Sequence, residues 1–298
     1  MRRQTHFFLA LPLIIAPQLV GAQGSVDFDT VSVRPVQLTE SVYVLYGHGG
    51  NIGLSVGDDG PLIVDDQFEQ VSDTLKATVA EITGQQIQFV INTHWHYDHS
   101  DGNKAFGKDG AIIISHENSR VRMESVQILS ASEYRQEAYP ATALPKVTFD
   151  ESIRFHWNDD TIEVFHAPNA HTDGDAIVWF RKANVFHMGD VFVTYGFPFI
   201  DDENGGDLDG IISACEKVSE MADDETWFIP GHGQAARKSD VLAFIDMLKT
   251  IRARVAGLVD EGKSIEEIIA LKPAEGIEGV GSSADQAVRW TYNGVVTD

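Results

Sequence analysis

Four side chains that can bind a metal ion occur within six residues of the sequence. They are His94, His96, Asp98 and His99, directly after an apolar run at 87–92 that is typical of a buried strand. In extended backbone the first two point to the same side, and the last two can turn to a neighbouring point where the chain leaves the strand. Imidazole and carboxylate groups bind zinc or iron. Because crowding titratable groups at a strand end is costly unless something pairs with them, the pattern predicts a metal site.

This segment resembles the His-x-His-x-Asp-His signature of the metallo-β-lactamase superfamily, a family of binuclear metallohydrolases. In that family a histidine, then an aspartate or cysteine, then a histidine follow downstream, each at a strand end. The sequence has all three in order: His171 lies just before a predicted strand, and Asp190 and His232 lie just after two others. The resemblance spans essentially the whole chain after its N-terminal segment.

The resemblance implies that these residues bind two metal ions. The first ion would be bound by His94, His96 and His171, and the second by Asp98, His99 and His232, with Asp190 bridging both. Two Zn²⁺ ions are the expected occupants, because histidine and aspartate ligands in a hydrolytic site suit a Lewis acid without redox chemistry. Iron and manganese are also compatible with this ligand set.

Asp98 is predicted to have a catalytic role as well. Two cations a few Å apart lower the pKa of a shared water to about 7, so the site would present a metal-bridging hydroxide as the nucleophile. Besides binding a metal, Asp98 could orient that hydroxide. One ion would polarise the scissile carbonyl or phosphoryl oxygen and the other would stabilise the leaving group, so no serine or cysteine nucleophile is needed.

The predicted secondary structure follows a similar order in the two halves of the chain. Strands are expected at 42–46, 52–56, 61–65, 87–92, 111–115, 152–155, 161–165, 176–180, 185–188 and 226–229, and helices at 71–82, 117–125, 207–221, 239–259 and 264–271. This order suggests two packed sheets with helices outside. It agrees with the fold that the resemblance implies, an α/β (α+β) four-layer αβ/βα sandwich. Since no Ser-, Pro- or Gly-rich linker divides the chain, residues 23–298 are expected to form a single metallo-β-lactamase-like domain.

Residues 1–22 are typical of a secretory signal peptide. Arg2 and Arg3 precede an apolar run at 7–16, and small residues end the segment at Ala22. The run is shorter than the roughly 20 residues that span a bilayer, so we expect cleavage after Ala22 and no membrane anchor afterwards. The mature chain would then be secreted or periplasmic. Its one cysteine, Cys215, excludes an intrachain disulfide and is expected to be buried and inert.

The strong negative charge of the chain argues against one class of partner. The sequence has 45 Asp+Glu against 22 Lys+Arg, a formal net charge of -23, and loss of residues 1–22 with their two arginines would take it to -25. Proteins that bind nucleic acid without sequence preference need a basic face, so no nucleic-acid partner is expected. The expected partner is a small-molecule substrate, and the sequence leaves the oligomeric state open.

The sequence predicts an exported hydrolase of a β-lactam or a similar cyclic or activated acyl bond. One feature argues against β-lactams: residues 191–209 contain five acidic residues and no Lys or Arg to hold the carboxylate of such a drug. Thr194 and Tyr195 could donate hydrogen bonds there instead. A lactonase, thioesterase or phosphodiesterase with the same site is the alternative within enzymes. A periplasmic accessory or metal-binding protein with little turnover is the alternative from another class.

Further side chains near the candidate site have open roles. His48 lies in a glycine-rich loop that could border a cleft. His166 and His187 flank predicted strands and could support the metal ligands from behind. Trp95 and Tyr97 alternate with the ligands, so they are expected to pack into the core rather than face a substrate.

Overall fold

The computed structural model describes residues 26–129, 134–280 and 284–297. The segment 1–22, for which a signal peptide is predicted, lies outside the described residues. Among the helices that are described, none combines the length and the apolarity that a membrane span requires.

Nine strands and four helices are described between residues 34 and 149. In chain order they are β1 (Arg34–Gln37), β2 (Val42–Tyr46), β3 (Ile52–Ser55), β4 (Leu62–Val64), α1 (Ser72–Thr83), β5 (Phe89–Ile91), α2 (Tyr97–Ser100), α3 (Asn103–Phe106), β6 (Ile112–His116), α4 (Glu117–Met123), β7 (Gln127–Leu129), β8 (Tyr134–Gln136) and β9 (Val147–Phe149). Helix α1 ends at Gly84, whose φ of 69° is left-handed and lets the chain leave the helix without side-chain strain.

Six strands and four helices are described between residues 152 and 297. In chain order they are β10 (Ser152–Trp157), β11 (Asp160–Ala167), β12 (Asp175–Phe180), β13 (Val185–His187), α5 (Leu208–Met221), β14 (Trp227–Ile229), β15 (Ala236–Arg237), α6 (Lys238–Asp260), α7 (Ile265–Ala270) and α8 (Ala284–Thr297). Every strand that the sequence predicted is therefore present, although most of the observed strands have slightly different ends.

The strands form two large sheets and one separate hairpin. The first sheet has the order β1-β2-β3-β4-β5-β6-β9; its first four strands are antiparallel, and β4, β5, β6 and β9 run parallel. The second sheet has the order β10-β11-β12-β13-β14-β15 and is antiparallel except for the parallel pair β13 and β14. Strands β7 and β8 pair with each other as the hairpin.

Apolar side chains from both sheets meet in an inner core. Val44, Val64 and Ile91 of the first sheet belong to the same buried cluster as Val164 and Val178 of the second. These side chains are fully shielded from solvent. Because successive side chains of a strand point to opposite faces, the remaining apolar residues of these strands face outward and need helices to cover them.

Helices cover the outer face of each sheet. On the first sheet, Leu54 of β3 clusters with Leu75 of α1. On the second sheet, Phe186 of β13 clusters with Ile211 of α5 and Leu248 of α6. The layers are therefore helix, sheet, sheet and helix, which confirms the four-layer αβ/βα sandwich expected from the sequence.

Several elements were not predicted. Strand β1 contains Pro35 and lies at the edge of its sheet, where a missing backbone N–H is tolerated. Strand β9 lies at the other edge of the same sheet and has only three residues. Helix α8 packs against α6 and shares its apolar cluster. Pairing or packing with neighbouring elements stabilises β1, β9 and α8 more than the secondary-structure preference of their own sequences does.

Candidate metal centre

Strand ends at one edge of the sandwich bring the candidate ligands together. Strands β13 and β14 run parallel, so Asp190 after β13 and His232 after β14 lie at the same edge. Strand β12 is antiparallel to β13, which places His171, just before β12, at that edge too. The other four candidates follow β5 of the first sheet, where Ala176 N donates a hydrogen bond to Thr93 O at 2.7 Å and links the two sheets.

His94, His96 and His171 form the first group of candidate ligands. A ring nitrogen from each lies within 4.8 Å of the other two, and His171 Nε2 is 2.9 Å from His96 Nδ1. All three side chains are buried. Three imidazole nitrogens directed at one point, out of contact with water, are a suitable ligand set for a transition metal such as zinc.

Asp98, His99 and His232 form the second group. His232 Nε2 is 3.2 Å from Asp98 Oδ2 and 3.2 Å from His99 Nε2. The side chain of His99 is fully buried, whereas those of Asp98 and His232 are 24% and 28% exposed. The site is therefore open to solvent on the side of this second group.

Asp190 lies between the two groups. Its Oδ1 is 3.2 Å from His99 Nε2 and 3.5 Å from His232 Nε2 in the second group. Its Oδ2 is 3.7 Å from His171 Nε2 in the first group. One carboxylate with an oxygen directed at each group has the position that a bridging ligand needs.

Two buried polar atoms in this cluster accept no hydrogen bond from the described residues. They are His94 Nε2 and Asp190 Oδ1. Leaving a buried donor or acceptor without a partner costs about 1–3 kcal/mol, so native structures rarely do so without a reason. A cation bound by both groups would be the missing partner, and the residues present fit the metal ions that the sequence resemblance implies.

The histidine nitrogens that face away from these groups are held by hydrogen bonds. The partners are Thr93 Oγ1 for His94 Nδ1 (3.0 Å), Asp201 Oδ2 for His96 Nε2 (2.9 Å), Asp65 Oδ2 for His99 Nδ1 (2.8 Å) and Phe199 O for His171 Nδ1 (2.9 Å). Such partners fix the orientation of each ring. The sequence analysis did not predict that the carboxylates of Asp65 and Asp201 hold these rings. For Asp65 there was a signal, because it directly follows the apolar strand β4, as the candidate ligands follow theirs.

The electrostatics differ between the two groups of candidate ligands. Burial lowers the pKa of His94 well below its usual value, and it lowers the pKa of His171 to about 4. Burial alone would raise the pKa of Asp98, but His99 and His232 outweigh it and hold that pKa at about 2. His94 and His171 are therefore neutral at neutral pH, and Asp98 is ionised. Burial would lower the pKa of His99 and of His232, but the carboxylates of Asp190 and Asp98 outweigh it and raise both pKa values, so a metal ion binding to the second group would displace protons there.

The two histidines expected to support the ligands make other contacts. His187 Nδ1 accepts a hydrogen bond from Gly189 N at 3.2 Å, while its Nε2 donates to Asn51 O at 3.0 Å. It thus holds the backbone next to Asp190 rather than a histidine ring. His166 stacks on His116 with ring centroids 3.7 Å apart, and none of its described contacts reaches a candidate ligand.

Several other predictions about single residues are confirmed. Trp95 is fully buried in a small apolar cluster with Met123. Cys215 is also fully buried, and burial raises the pKa of its thiol, so the thiolate form is suppressed. The roles of Thr194 and Tyr195, which could donate hydrogen bonds to a substrate, remain predictions: Thr194 directs its hydroxyl to backbone carbonyls nearby. Tyr195 is 53% exposed beside the site.

Comparison with known proteins agrees with this geometry. The family model of the metallo-beta-lactamase superfamily matches residues 42–240, a range that contains all seven candidate ligands. The chain therefore belongs to the metallo-beta-lactamase superfamily, whose members are hydrolases.

The chain is similar to solved metallo-β-lactamases in fold. The DIM-1 metallo-beta-lactamase superposes with a TM-score of 0.60 at 16% identity, over 74% of this chain and 99% of that one. The metallo-beta-lactamase from Pontibacter korlensis gives 0.60 and 16%, over 73% and 99%. In sequence, a hydroxyacylglutathione hydrolase from Pelagibacter ubique (strain HTCC1062) is 26% identical over 113 residues, which are 37% of this chain and 38% of that relative. The match thus spans well under half of the relative's length.

Proposed function

We propose that this protein is an exported, zinc-dependent hydrolase that cleaves a β-lactam or a similar cyclic or activated acyl bond. The observation that carries this proposal is the convergence of seven candidate ligands, two of which have a buried atom with no hydrogen-bond partner among the described residues. Export is supported by the signal-like residues 1–22 and is tested by N-terminal sequencing of the protein recovered outside the cytoplasm.

In the proposed enzyme His94, His96 and His171 would hold one Zn²⁺ ion, Asp98, His99 and His232 would hold a second, and the Asp190 carboxylate lies between the two groups. When bound, the two ions supply Lewis acidity and lower the pKa of water to about 7. Iron or manganese would fit the same donors.

The residues of the chain divide the remaining tasks. Asp98 is ionised and lies on the open side, where it can orient the attacking hydroxide. Asp65 and Asp201 hold the rings of His99 and His96 in place. Tyr195 presents exposed ring surface beside the site, since its ring centroid is 6.2 Å from that of His232.

A thioester is the second candidate substrate. The similarity to a hydroxyacylglutathione hydrolase favours it. Two features weigh against a glutathione thioester in particular: residues 191–209 have no Lys or Arg, and Arg289 is the only cation after Lys272. The carboxylates of glutathione would thus lack the charge-assisted partners that normally bind them.

A hydrolysis panel on the metal-loaded chain tests the proposal. It compares nitrocefin, a penicillin, a carbapenem, a simple lactone, a thioester and bis-p-nitrophenyl phosphate, each with and without chelator. Chelator-sensitive turnover of β-lactams would support the main proposal in full. Turnover of the lactone, thioester or phosphodiester alone would mean that this compound class, and not a β-lactam, is the substrate. No turnover with metal bound would favour an accessory or metal-binding protein.

Asp201 offers a test of the metal centre that does not depend on substrate. We expect Asp201→Ala to weaken metal binding by about 10–100-fold, because His96 would lose the hydrogen bond that orients its ring. Competition with a chromogenic chelator measures this change directly. Asp201→Asn is the matched control: its amide oxygen can still accept the His96 hydrogen bond, so its loss should be smaller. Equal metal affinity in the Asp201→Ala variant and the unaltered protein would contradict the assignment.

A further inference from the structure

His232 is held differently from the other four candidate histidine ligands. The outward-facing ring nitrogen of each of those four has a hydrogen-bond partner. In the part of the chain that the structure describes, the Nδ1 atom of His232 has no such partner, since all of its polar contacts with neighbouring side chains are made by Nε2. The position of this ring therefore depends on the backbone that carries it.

That backbone is a short loop with little stiffness of its own. The loop, residues 230–233, follows β14, and His232 lies in it between Gly231 and Gly233. Gly233 has a φ of 97°, a conformation that residues with a side chain rarely adopt. Because glycine has more conformational freedom to lose on folding than any other residue, this loop needs contacts from outside to hold one shape.

The two sheets hold the 230–233 loop from opposite sides. On the side of the second sheet, His232 O accepts a hydrogen bond from Thr194 N at 3.1 Å. On the side of the first sheet lies Asn51, which directly precedes β3. Its Nδ2 donates hydrogen bonds to Pro230 O and to Gly233 O, both at 2.8 Å. A single amide group thus binds the loop on both sides of the ligand.

The side chain of Asn51 is suited to this task. Both of its partners are carbonyl oxygens, and the NH₂ end of an amide has the two donors that they need. Asn51 is only 5% exposed, so water competes little for these bonds. Its backbone is fixed independently, since Asn51 N donates to Gly231 O at 2.7 Å and Asn51 O accepts from His187 Nε2 at 3.0 Å. The amide therefore extends from a fixed point.

We propose that Asn51 is a positioning residue for His232: its side-chain amide fixes the 230–233 loop and thereby the place of the His232 ring in the second group of ligands. The inference rests on the proposed function, because a metal centre that works in catalysis needs its ligands held to within about 0.5 Å. The contact also joins the two halves of the sandwich, since β3 belongs to the first sheet and β14 to the second. A displacement between the sheets would thus reach the second group through this amide.

Metal affinity gives the first test. Asn51→Ala removes both side-chain hydrogen bonds but keeps both backbone bonds, so the chain should still fold. We expect the weaker of its two Zn²⁺ equivalents to bind with about 10–100-fold lower affinity, the range found when a group that orients a metal ligand is lost. Competition with a chromogenic chelator measures both equivalents. Asn51→Asp keeps the shape but cannot donate both bonds, so its affinity should fall as well. Unchanged affinities in Asn51→Ala would overturn the inference.

NMR of the metal-free chain, with the histidine rings labelled with ¹³C, tests the positioning directly. The Cε1–Hε1 ring signal of His232 should shift or broaden in Asn51→Ala. The signal of His96 should stay unchanged, because Asp201 holds that ring separately. A merely structural role for Asn51 would alter both ring signals or neither, and either of those results would overturn the inference.

Asn158→Ala is the matched control. Asn158 is also buried, and its Nδ2 donates two hydrogen bonds, to Ser55 Oγ and to Gly60 O, each at 3.0 Å. It lies between β10 and β11 and, like Asn51, joins the second sheet to the first. Gly60 precedes β4, whereas Asp65 and the candidate metal centre lie beyond the other end of that strand.

Urea unfolding should show that the Asn158→Ala variant also loses stability, while its His232 ring signal and both metal affinities stay unchanged. A change of the His232 signal as large as that in Asn51→Ala would mean that the 230–233 loop responds to any loss of stability. That result would overturn the inference.

The two readouts separate this inference from the proposed function. If the unaltered chain bound no metal but Asn51→Ala still altered the His232 signal alone, the metal-dependent hydrolase would be refuted and Asn51 would remain the residue that positions His232. If the unaltered chain bound two Zn²⁺ ions and hydrolysed a substrate, but Asn51→Ala changed neither the His232 signal nor the weaker affinity, the inference would fail and the hydrolase would stand.

Discussion

Asp98→Asn is expected to lower kcat/KM by about 100-fold or more on any substrate that the enzyme hydrolyses, because a nucleophile that is displaced by about 1 Å reacts slower by a factor of this size. Asn has the same shape, but its neutral amide holds the metal and the attacking hydroxide more weakly than the carboxylate does. The pKa of Asp98 is about 2 because His99 and His232 outweigh the effect of burial, so the carboxylate is ionised at working pH and its charge is what the substitution removes. Steady-state kinetics together with metal content by mass spectrometry measure the effect.

The metal content separates two ways in which Asp98→Asn could act. If Asp98 only bound metal, restoring full occupancy with excess metal would restore activity. If it also orients the nucleophile, the variant stays slow when fully loaded. Asp101→Asn is the control, since Asp101 directly follows helix α2, which contains Asp98, but pairs with Lys104 instead of the site. Full activity of the loaded Asp98→Asn variant would show that the catalytic role assigned to Asp98 is wrong.

Most of the candidate site could be predicted from the sequence because its ligands are encoded locally. His94, His96, Asp98 and His99 lie together in one segment, and each later candidate sits at the end of a short apolar run. The supporting carboxylate of Asp201 could not be predicted in this way. It reaches His96 across 105 positions of sequence, and only the folded loop after Asp190 brings the two together.

The difference between local sequence signals and contacts between distant residues also explains which parts of the fold were predicted. Strands such as β2 and β12 are continuous apolar runs, and a buried strand needs such a run wherever it lies. Helix α8 contains Gly294 and two consecutive valines near its end, which are weak helix formers. Its packing against α6 stabilises it, and a tertiary contact of this kind leaves little trace in local sequence.

Gly231→Ala is expected to reduce kcat/KM by about 100-fold or more, because a displacement of about 1 Å at a catalytic group can have an effect of this size. A Cβ at residue 231 would overlap Asp190 Oδ1 and would lie 2.6 Å from Gly189 C and 2.7 Å from Asp190 N. The backbone at Gly231 cannot retreat easily, since its N–H donates hydrogen bonds to Gly189 O at 2.7 Å and Phe192 O at 3.0 Å. The carboxylate between the two metal positions must therefore move, and both metal content and turnover should fall.

Gly257→Ala distinguishes this effect from a general cost of replacing glycine. Gly257 lies within helix α6 with nothing within 4 Å of the position that a Cβ would take. Alanine there should raise the free energy of unfolding by about 0.5–1 kcal/mol, as glycine is the poorer helix former, and leave activity unchanged. Urea unfolding of both variants, alongside metal content, completes the comparison. If Gly231→Ala kept its metal and its activity, the Asp190 carboxylate would not need the position seen here, and its place as the bridging ligand would have to be reassigned.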